Sequence, residues 1–151
     1  MGCKQDKDIF LIVTIMRVLI LCTGNSCRSQ MAEGILKSLA RNWDVFSAGT
    51  EPADKVNPNA VSAMAEIGID ISENFPKSVD KFLPQYWDYV ISVCGNADKN
   101  CPIFKGKVGK RLHIPFDDPA KFEGDPESIK RGFARVRDEI KAKFREFINN
   151  L

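Results

Sequence analysis

The chain has 151 residues, of which 44% are hydrophobic and 28% are charged, and its formal net charge is +2. This length and this apolar content suffice for one hydrophobic core, so we expect a single globular domain. Acidic and basic residues are interspersed and form no basic stripe, which argues against a nucleic-acid partner and favours a small ligand.

The extreme N-terminus, MGCKQDKDIFLIVTIM, carries lysines followed by an apolar run. No small-residue cleavage site follows, the run is too short to span a bilayer, and Asp6 stands where a myristoylation signal requires Ser or Thr. We therefore expect no membrane attachment. We interpret residues 1–15 as an extension outside the core, with one domain at 16–151 and Met16 as the effective start. An additional edge strand is the alternative.

From Arg17 onward, strand-like and helix-like segments alternate, which predicts a parallel sheet with helices on both faces. The apolar run RVLILC predicts a central strand, and apolar residues at helical spacing follow it. The next segments predict, in order, a strand in WDVFSAGT, a helix in VNPNAVSAMAEIG with Asn57 as its N-cap, a short helix in SVDKFLPQY, and strands in WDYVISVC and KRLHIPF. A final amphipathic helix is predicted by an apolar stripe of Ile129, Phe133, Val136, Ile140, Phe144 and Phe147.

Five cysteines stand at positions 3, 22, 27, 94 and 101. An odd number in a chain that can fold without disulfides argues against a secreted disulfide framework and favours reduced thiols in the cytoplasm. Their spacings, with a single histidine at position 113, do not fit the paired ligands of structural zinc sites, so we expect no metal.

The segment CTGNSCRS, residues 22–29, joins the first predicted strand to the first predicted helix. Such a junction directs backbone N–H groups and a helix N-terminus at one point, which favours oxyanion binding. Gly24 and Asn25 tolerate the left-handed conformations that this arrangement needs. At the base of the loop, the same dipoles are expected to lower the pKa of Cys22 and make it a nucleophile at neutral pH.

Two further side chains of this segment suit the same chemistry. Arg28 is able to hold two oxygens of an oxyanion, and Ser29 to donate a hydrogen bond to the sulfur. The alternative is that Cys22 merely ends a buried strand and Arg28 makes a surface salt bridge. The coincidence of strand, turn, Arg-Ser pair and helical periodicity favours the functional interpretation. Cys27 is interpreted as a packing residue beside the loop.

The segment CTGNSCRSQMAEG resembles the oxyanion loop of thioredoxin-coupled arsenate reductases, which are built on the low-molecular-weight protein tyrosine phosphatase fold. The similarity continues through VFSAGTEP, VNPNAVSAM, IGIDIS, ISVCGNADKNCP, FDDPA and RVRDEI. It implies an α/β three-layer sandwich with a four-stranded parallel sheet flanked by helices, and reduction of arsenate to arsenite. The oxyanion-binding residues it implies are Thr23, Gly24, Asn25, Ser26, Cys27 and Arg28.

Two features separate the reductases from their phosphatase relatives. Gln30 stands where the phosphatase loop usually has proline, and CGNADKNC supplies Cys94 and Cys101 as a source of two electrons. The Gly, Asn and Asp residues around these cysteines suggest an exposed segment at a strand end. Two buried, incidental thiols are the alternative.

The resemblance also implies a reaction sequence. The Cys22 thiolate attacks arsenate while Asp118, rather than Asp117, protonates the departing oxygen; both aspartates are alternatively simple turn residues. Cys94 then attacks Cys22 and releases arsenite, and Cys101 attacks Cys94 to leave a disulfide that thioredoxin reduces. Glutaredoxin and mycothiol systems are other possible donors.

Some members of the family bind potassium through residues that match Asn25, Glu33 and Ser47 together with an aspartate. Lys77 occupies the aspartate position here, so its ammonium either replaces the cation or removes the site. We therefore expect no metal and no cofactor.

Three classes of function follow from these observations. The first is a cytoplasmic, monomeric arsenate reductase, with phosphate or sulfate as substrate analogues. The second is a phosphatase that acts on phosphotyrosine or a small phosphoester, since phosphate and arsenate have nearly the same shape. The third is an oxyanion-binding module without turnover, which an Asp118 acid disfavours.

Overall fold

The computed structural model describes residues 15–95 and 104–151. Cys101 lies outside these described residues, and so does the proposed extension except for Ile15. The boundary between an extension at 1–15 and a domain at 16–151 therefore stays a prediction.

Four parallel strands form one sheet in the order β2-β1-β3-β4. They are β1 (Arg17–Cys22), β2 (Asp44–Gly49), β3 (Trp87–Ser92) and β4 (Val108–His113). β1 is central and almost fully buried, as a continuous apolar run in a parallel sheet requires. The edge strand β4 is mostly exposed and lies further toward the N-terminus than KRLHIPF predicted, because an edge strand needs no apolar run to mark its ends.

In the described part of the chain, three α-helices accompany the sheet, namely α1 (Arg28–Leu39), α2 (Pro58–Ala65) and α3 (Pro126–Asn149). The connections between the described elements contain two 3₁₀ helices, Val79–Phe82 and Pro119–Lys121. The Asn57 side chain accepts a hydrogen bond from the backbone N–H of Asn59, which confirms the predicted N-cap of α2. Within the described ranges, no helix combines the length and the apolar character needed to cross a membrane.

Each face of the sheet has its own apolar cluster. Val18 and Ile20 of β1 face the three helices, whereas Leu19 and Leu21 face the 3₁₀ helix at Val79–Phe82. On the helical face, the predicted stripe of α3 is buried at Phe133, Val136, Ile140 and Phe144. The predicted four-stranded parallel sheet with flanking helices is confirmed.

Parallel strands bring their carboxyl ends to one edge of the sheet, where ligands bind in open α/β folds. The segments that follow β1, β2, β3 and β4 therefore meet there. These segments carry the loop at 22–28, the turn after Gly49, Cys94 and the aspartates at 117 and 118.

Candidate active site

The loop between β1 and α1 is held by one residue in a left-handed conformation. Asn25 has φ 51°, whereas Gly24 does not adopt a positive φ, so only one of the two predicted residues takes this role. Asn is suited to it because its short side chain forms local hydrogen bonds. Gly49 lets the loop approach β2, since a Cβ at this position would overlap the Thr23 carbonyl oxygen.

The side-chain amide of Asn25 is fully buried and its hydrogen-bonding capacity is completely used. Its Nδ2 donates to Ser29 Oγ at 2.8 Å and to Ser47 Oγ at 2.9 Å. Its Oδ1 accepts from Gln30 Nε2 at 3.1 Å and from the Lys77 backbone N–H at 2.9 Å. The loop is thus fixed from β2, from α1 and from the segment that contains Lys77.

Behind this network lies a buried carboxylate with two lysine partners. Ser47 Oγ donates to Glu33 Oε1 at 2.9 Å, and Lys77 Nζ lies 3.8 Å from the same oxygen. Lys37 Nζ lies 3.3 Å from Glu33 Oε2. Burial lowers the pKa of Lys77, and Glu33 opposes this shift. The Lys77 ammonium therefore stands beside Glu33, as expected if it replaces a cation there.

Arg28 reaches across the loop toward the segment after β4. Its Nη1 donates to the Phe116 carbonyl oxygen at 3.2 Å, and its Nη2 lies 3.5 Å from Asp118 Oδ2. Its Nε is buried and has no hydrogen-bond partner among the described residues. A buried N–H without a partner is costly, and a bound oxyanion would satisfy it.

Cys22, at the end of β1, and Cys94, which follows β3, are both buried, and the two strands are paired neighbours. The pKa of Cys94 is lowered to about 6, first because of the neighbouring Cys22 and further because of Thr23 and Arg28. Cys94 and burial raise the pKa of Cys22, although Arg28 opposes this. The two thiols therefore influence each other's ionisation.

Two expectations from the sequence are wrong at this point. The pKa of Cys22 was expected to fall, and it rises because the loop dipoles compete with a second thiol that is not adjacent in sequence. Cys94 was expected on an exposed segment, but only 3% of it is exposed. Its neighbour Gly95 is exposed, so the polar composition of the segment predicts the exposure of Gly95 but not the burial of Cys94.

The two candidate acids are arranged differently. Asp118 approaches Arg28, is half-buried and accepts a hydrogen bond from the Ala120 backbone N–H at 3.1 Å. Asp117 is exposed and lies 3.3 Å from Arg135 Nη2. This geometry favours Asp118 over Asp117 as the group that faces a bound oxyanion.

The remaining loop residues mostly have supporting positions. Cys27 is 5% exposed and belongs to the hydrophobic core, and burial raises its pKa. The Ser29 hydroxyl accepts from Asn25, which leaves its own hydrogen available, so a hydrogen bond to the Cys22 sulfur stays a prediction. The resemblance implied Thr23 as an oxyanion-binding residue, but sequence reasoning missed its contact with Cys94, whose Sγ lies 3.7 Å from Thr23 Oγ1. No local pattern signals this contact, because it joins the ends of two strands.

The family model described as low molecular weight phosphotyrosine protein phosphatase matches residues 17–151. The chain belongs to this family. An arsenate reductase of Halalkalibacterium halodurans is 53% identical over 131 residues, covering 86% of this chain and 93% of the relative. This confirms the resemblance to arsenate reductases.

Solved structures of the family include both activities. One described as an arsenate reductase in the phosphate binding state has a TM-score of 0.72 and 32% identity, covering 89% of this chain and 98% of its own. The low molecular weight protein tyrosine phosphatase from T. tengcongensis has a TM-score of 0.71 and 27% identity, with coverages of 90% and 99%. The fold alone therefore does not separate reductase from phosphatase.

Proposed function

We propose that this protein reduces arsenate to arsenite by a thiol cascade that starts at Cys22, passes through Cys94 and Cys101, and is reset by thioredoxin. The protein is an enzyme that reduces arsenate, as its identity to curated arsenate reductases indicates. The roles of the individual residues and the electron donor are our proposal. The observation that carries the cascade is the burial of two thiols, Cys22 and Cys94, at the ends of the paired strands β1 and β3, with Cys94 Sγ 3.7 Å from Oγ1 of Thr23, the residue after Cys22.

The first step joins arsenic to sulfur. Arsenate enters the loop, where Arg28 Nε and the backbone N–H groups satisfy its oxygens. Cys22 passes its proton to the neighbouring Cys94, and the Cys22 sulfur attacks arsenic. The As–S bond forms, an As–O bond breaks, and Asp118 protonates the departing oxygen so that water leaves.

The second step is the reduction. Cys94 gives the proton that it took from Cys22 to an oxygen of the arsenic adduct, and its thiolate attacks the Cys22 sulfur. An S–S bond forms, and the S–As bond breaks with its electron pair moving to arsenic. Arsenic(V) becomes arsenic(III) and leaves as arsenite, while the two thiols are oxidised together. The contacts with Thr23 and Arg28 support this role, because they stabilise the Cys94 thiolate near neutral pH.

The third step transfers the disulfide bond from Cys22 and Cys94 to Cys94 and Cys101. Cys101 attacks Cys94, so the Cys22 thiol is released and a Cys94–Cys101 disulfide remains for an external dithiol. We propose thioredoxin as this dithiol. We also propose that the protein acts as a monomer in a reducing cytoplasm, in which Cys22, Cys27 and Cys94 stay as the free thiols that the structure contains.

The alternative function is a phosphatase of phosphotyrosine or small phosphoesters. The oxyanion loop and the phosphatase relatives favour it, since Cys22, Arg28 and an acid suffice for phosphoryl transfer. Phosphatase chemistry gives no role to a second buried thiol at the end of the strand beside the nucleophile. The reductase therefore accounts for more of the site.

A coupled assay separates the two functions. Purified protein is mixed with thioredoxin, thioredoxin reductase and NADPH, and absorbance is followed after addition of arsenate or of p-nitrophenyl phosphate. We expect NADPH consumption that requires arsenate, and much slower p-nitrophenol release. Phosphatase turnover without arsenate-dependent NADPH consumption would establish the alternative. Consumption only with glutaredoxin or mycothiol would retain the reductase and change the donor.

A further inference from the structure

Gln30 is a polar side chain in the first turn of α1 that the thiol chemistry does not use, and it is fully buried. Its Nε2 faces three oxygen atoms: the Asn25 backbone oxygen at 3.2 Å, Asn25 Oδ1 at 3.1 Å and the Phe75 backbone oxygen at 3.1 Å. Its Oε1 accepts from Asn74 Nδ2 at 3.1 Å. Only an amide with its nitrogen toward the loop fits this set of partners, so the orientation of Gln30 is determined by its contacts.

These contacts join two segments that are distant in sequence. Asn25 is the left-handed residue of the oxyanion loop, and residues 74–77 form a strap that lies beside it. Gln30 Nε2 donates to the main-chain oxygen and the side-chain oxygen of Asn25. The same amide group contacts the strap, because Nε2 also donates to the Phe75 oxygen and Oε1 accepts from Asn74. The strap is also bound to β2, because the Gly49 backbone N–H donates to the Lys77 carbonyl oxygen at 2.8 Å.

The conformation of Asn25 matters for binding because a left-handed residue turns successive backbone N–H groups toward one side, where they form an anion-binding concavity. Without the Gln30 donor, both oxygen atoms of the buried Asn25 lose a partner, and Asn25 Oδ1 retains only the Lys77 N–H. The Phe75 carbonyl oxygen also loses this donor and keeps Lys77 Nζ at 3.4 Å. The loop is then free to relax toward conformations in which its N–H groups diverge. Oxyanion affinity is expected to fall, whereas Cys22 and Arg28 remain in place.

We propose that Gln30 is a positioning residue that sets the oxyanion affinity of the loop by locking Asn25 against the strap at residues 74–77. It acts through Asn25 and does not itself touch the oxyanion. The proposal concerns binding at the site of the proposed function, and its test uses inorganic phosphate, so it does not depend on turnover, on the order of the thiols or on the electron donor.

The test is an NMR-monitored titration of Gln30→Met with inorganic phosphate, with arsenate kinetics measured in parallel. Methionine keeps the length and the apolar volume of the side chain but removes its hydrogen bonds. We expect the phosphate Kd and the KM for arsenate each to rise about tenfold, while kcat changes by less than about threefold. This split between KM and kcat distinguishes positioning of the loop from a general loss of folded protein.

Arg137→Met is the matched control. Arg137 is a buried polar side chain far from the loop, whose Nη1 donates to the Ala63 carbonyl oxygen at 2.8 Å. This variant is expected to lower the melting temperature but to leave the phosphate Kd within about twofold of wild type. An unchanged Kd in folded Gln30→Met, or equal shifts of Kd in both variants, would overturn the proposal.

Asn74→Ala provides a second route if Gln30→Met does not fold. It removes only the donor to Gln30 Oε1 and lies on the half-buried strap. We expect a two- to threefold rise in the phosphate Kd, because the amide is held less firmly. A Kd identical to wild type in this variant would contradict the proposed link between the strap and the loop.

Discussion

The oxyanion loop lies between two groups of side chains that differ in how completely their polar atoms are paired. The fixed side, toward β2, consists of Asn25, Glu33, Ser47 and Lys77. All four hydrogen bonds of the Asn25 amide are made, and the Glu33 carboxylate has a hydroxyl and two ammonium partners. These side chains fix the conformation of the loop, and the Asn25 amide has no hydrogen-bonding atom left for a ligand.

The reactive side, toward β3 and β4, consists of Cys94, Arg28 and Asp118. Arg28 Nε has no partner in the described part of the chain, and the pKa of Cys94 is lowered to about 6 by Cys22, Thr23 and Arg28. Arg28 Nε is thus available to a bound oxyanion. We therefore expect the fixed side to maintain the conformation of the loop and the reactive side to exchange protons and electrons.

Cys22→Ser is expected to have the largest effect, because it removes the sulfur atom that we propose as the nucleophile. A neutral hydroxyl is a poor nucleophile here, so arsenate reduction and any phosphatase activity should fall by at least about a thousandfold. Arsenite production is measured in the coupled assay, with circular dichroism as the control for folding. Substantial arsenite formation by this variant would mean that the loop thiol is not the nucleophile.

Cys101→Ser is expected to stop the cascade after one round. The variant retains Cys22 and Cys94, so it should release about one arsenite per molecule and then stall as the Cys22–Cys94 disulfide. The measurement is a burst experiment with a known amount of enzyme and excess arsenate. Sustained turnover driven by thioredoxin would show that Cys94 and Cys101 act in another order or that thioredoxin attacks the first disulfide.

Arg28→Lys tests whether the guanidinium group of Arg28, and not only its positive charge, is needed on the reactive side. Lysine keeps the charge but lacks the planar fork and the Nε donor, so kcat/KM for arsenate should fall about a hundredfold. Arg137→Lys is the matched control, because Arg137 is equally buried but is paired with Glu66, Asp138 and a backbone oxygen. The control should lose thermal stability and retain activity. Equal activities in the two variants would remove the distinction between the two arginines.

Potassium should have the smallest effect, because the Lys77 ammonium already stands beside Glu33 on the fixed side. Replacing potassium by sodium at constant ionic strength should leave wild-type activity unchanged within the error of the assay. Lys77→Asp, which removes the ammonium and adds a carboxylate, should become sensitive to potassium. A several-fold stimulation of the wild-type enzyme by potassium would contradict the role given to Lys77.

The sequence predicted what local patterns encode. The apolar run of β1, the Gly-Asn turn and the Arg-Ser pair are adjacent in the chain, so the loop at 22–29 was found from its own residues. The stripe of α3 and the N-cap at Asn57 were found in the same way. Each of these features depends on contacts within a few residues.

What the sequence did not predict depends on contacts between distant segments. The mutual influence of Cys22 and Cys94 on their pKa values arises because two strand ends meet in the folded sheet. The role of Gln30 depends on the strap at 74–77, and helical periodicity does not reveal it. The same holds for Thr23 and Cys94, since a polar neighbourhood in sequence did not predict a buried thiol.

In the proposed cascade, two electrons pass from Cys22 and Cys94 to arsenic, and the resulting disulfide moves to Cys101. This cascade is tested most directly by mapping disulfides by mass spectrometry after one equivalent of arsenate, without reductant, in wild type and in Cys101→Ser. We expect a Cys94–Cys101 disulfide in the wild type and a Cys22–Cys94 disulfide in the variant. A Cys22–Cys27 disulfide, or arsenite formed while all thiols remain reduced, would contradict the account.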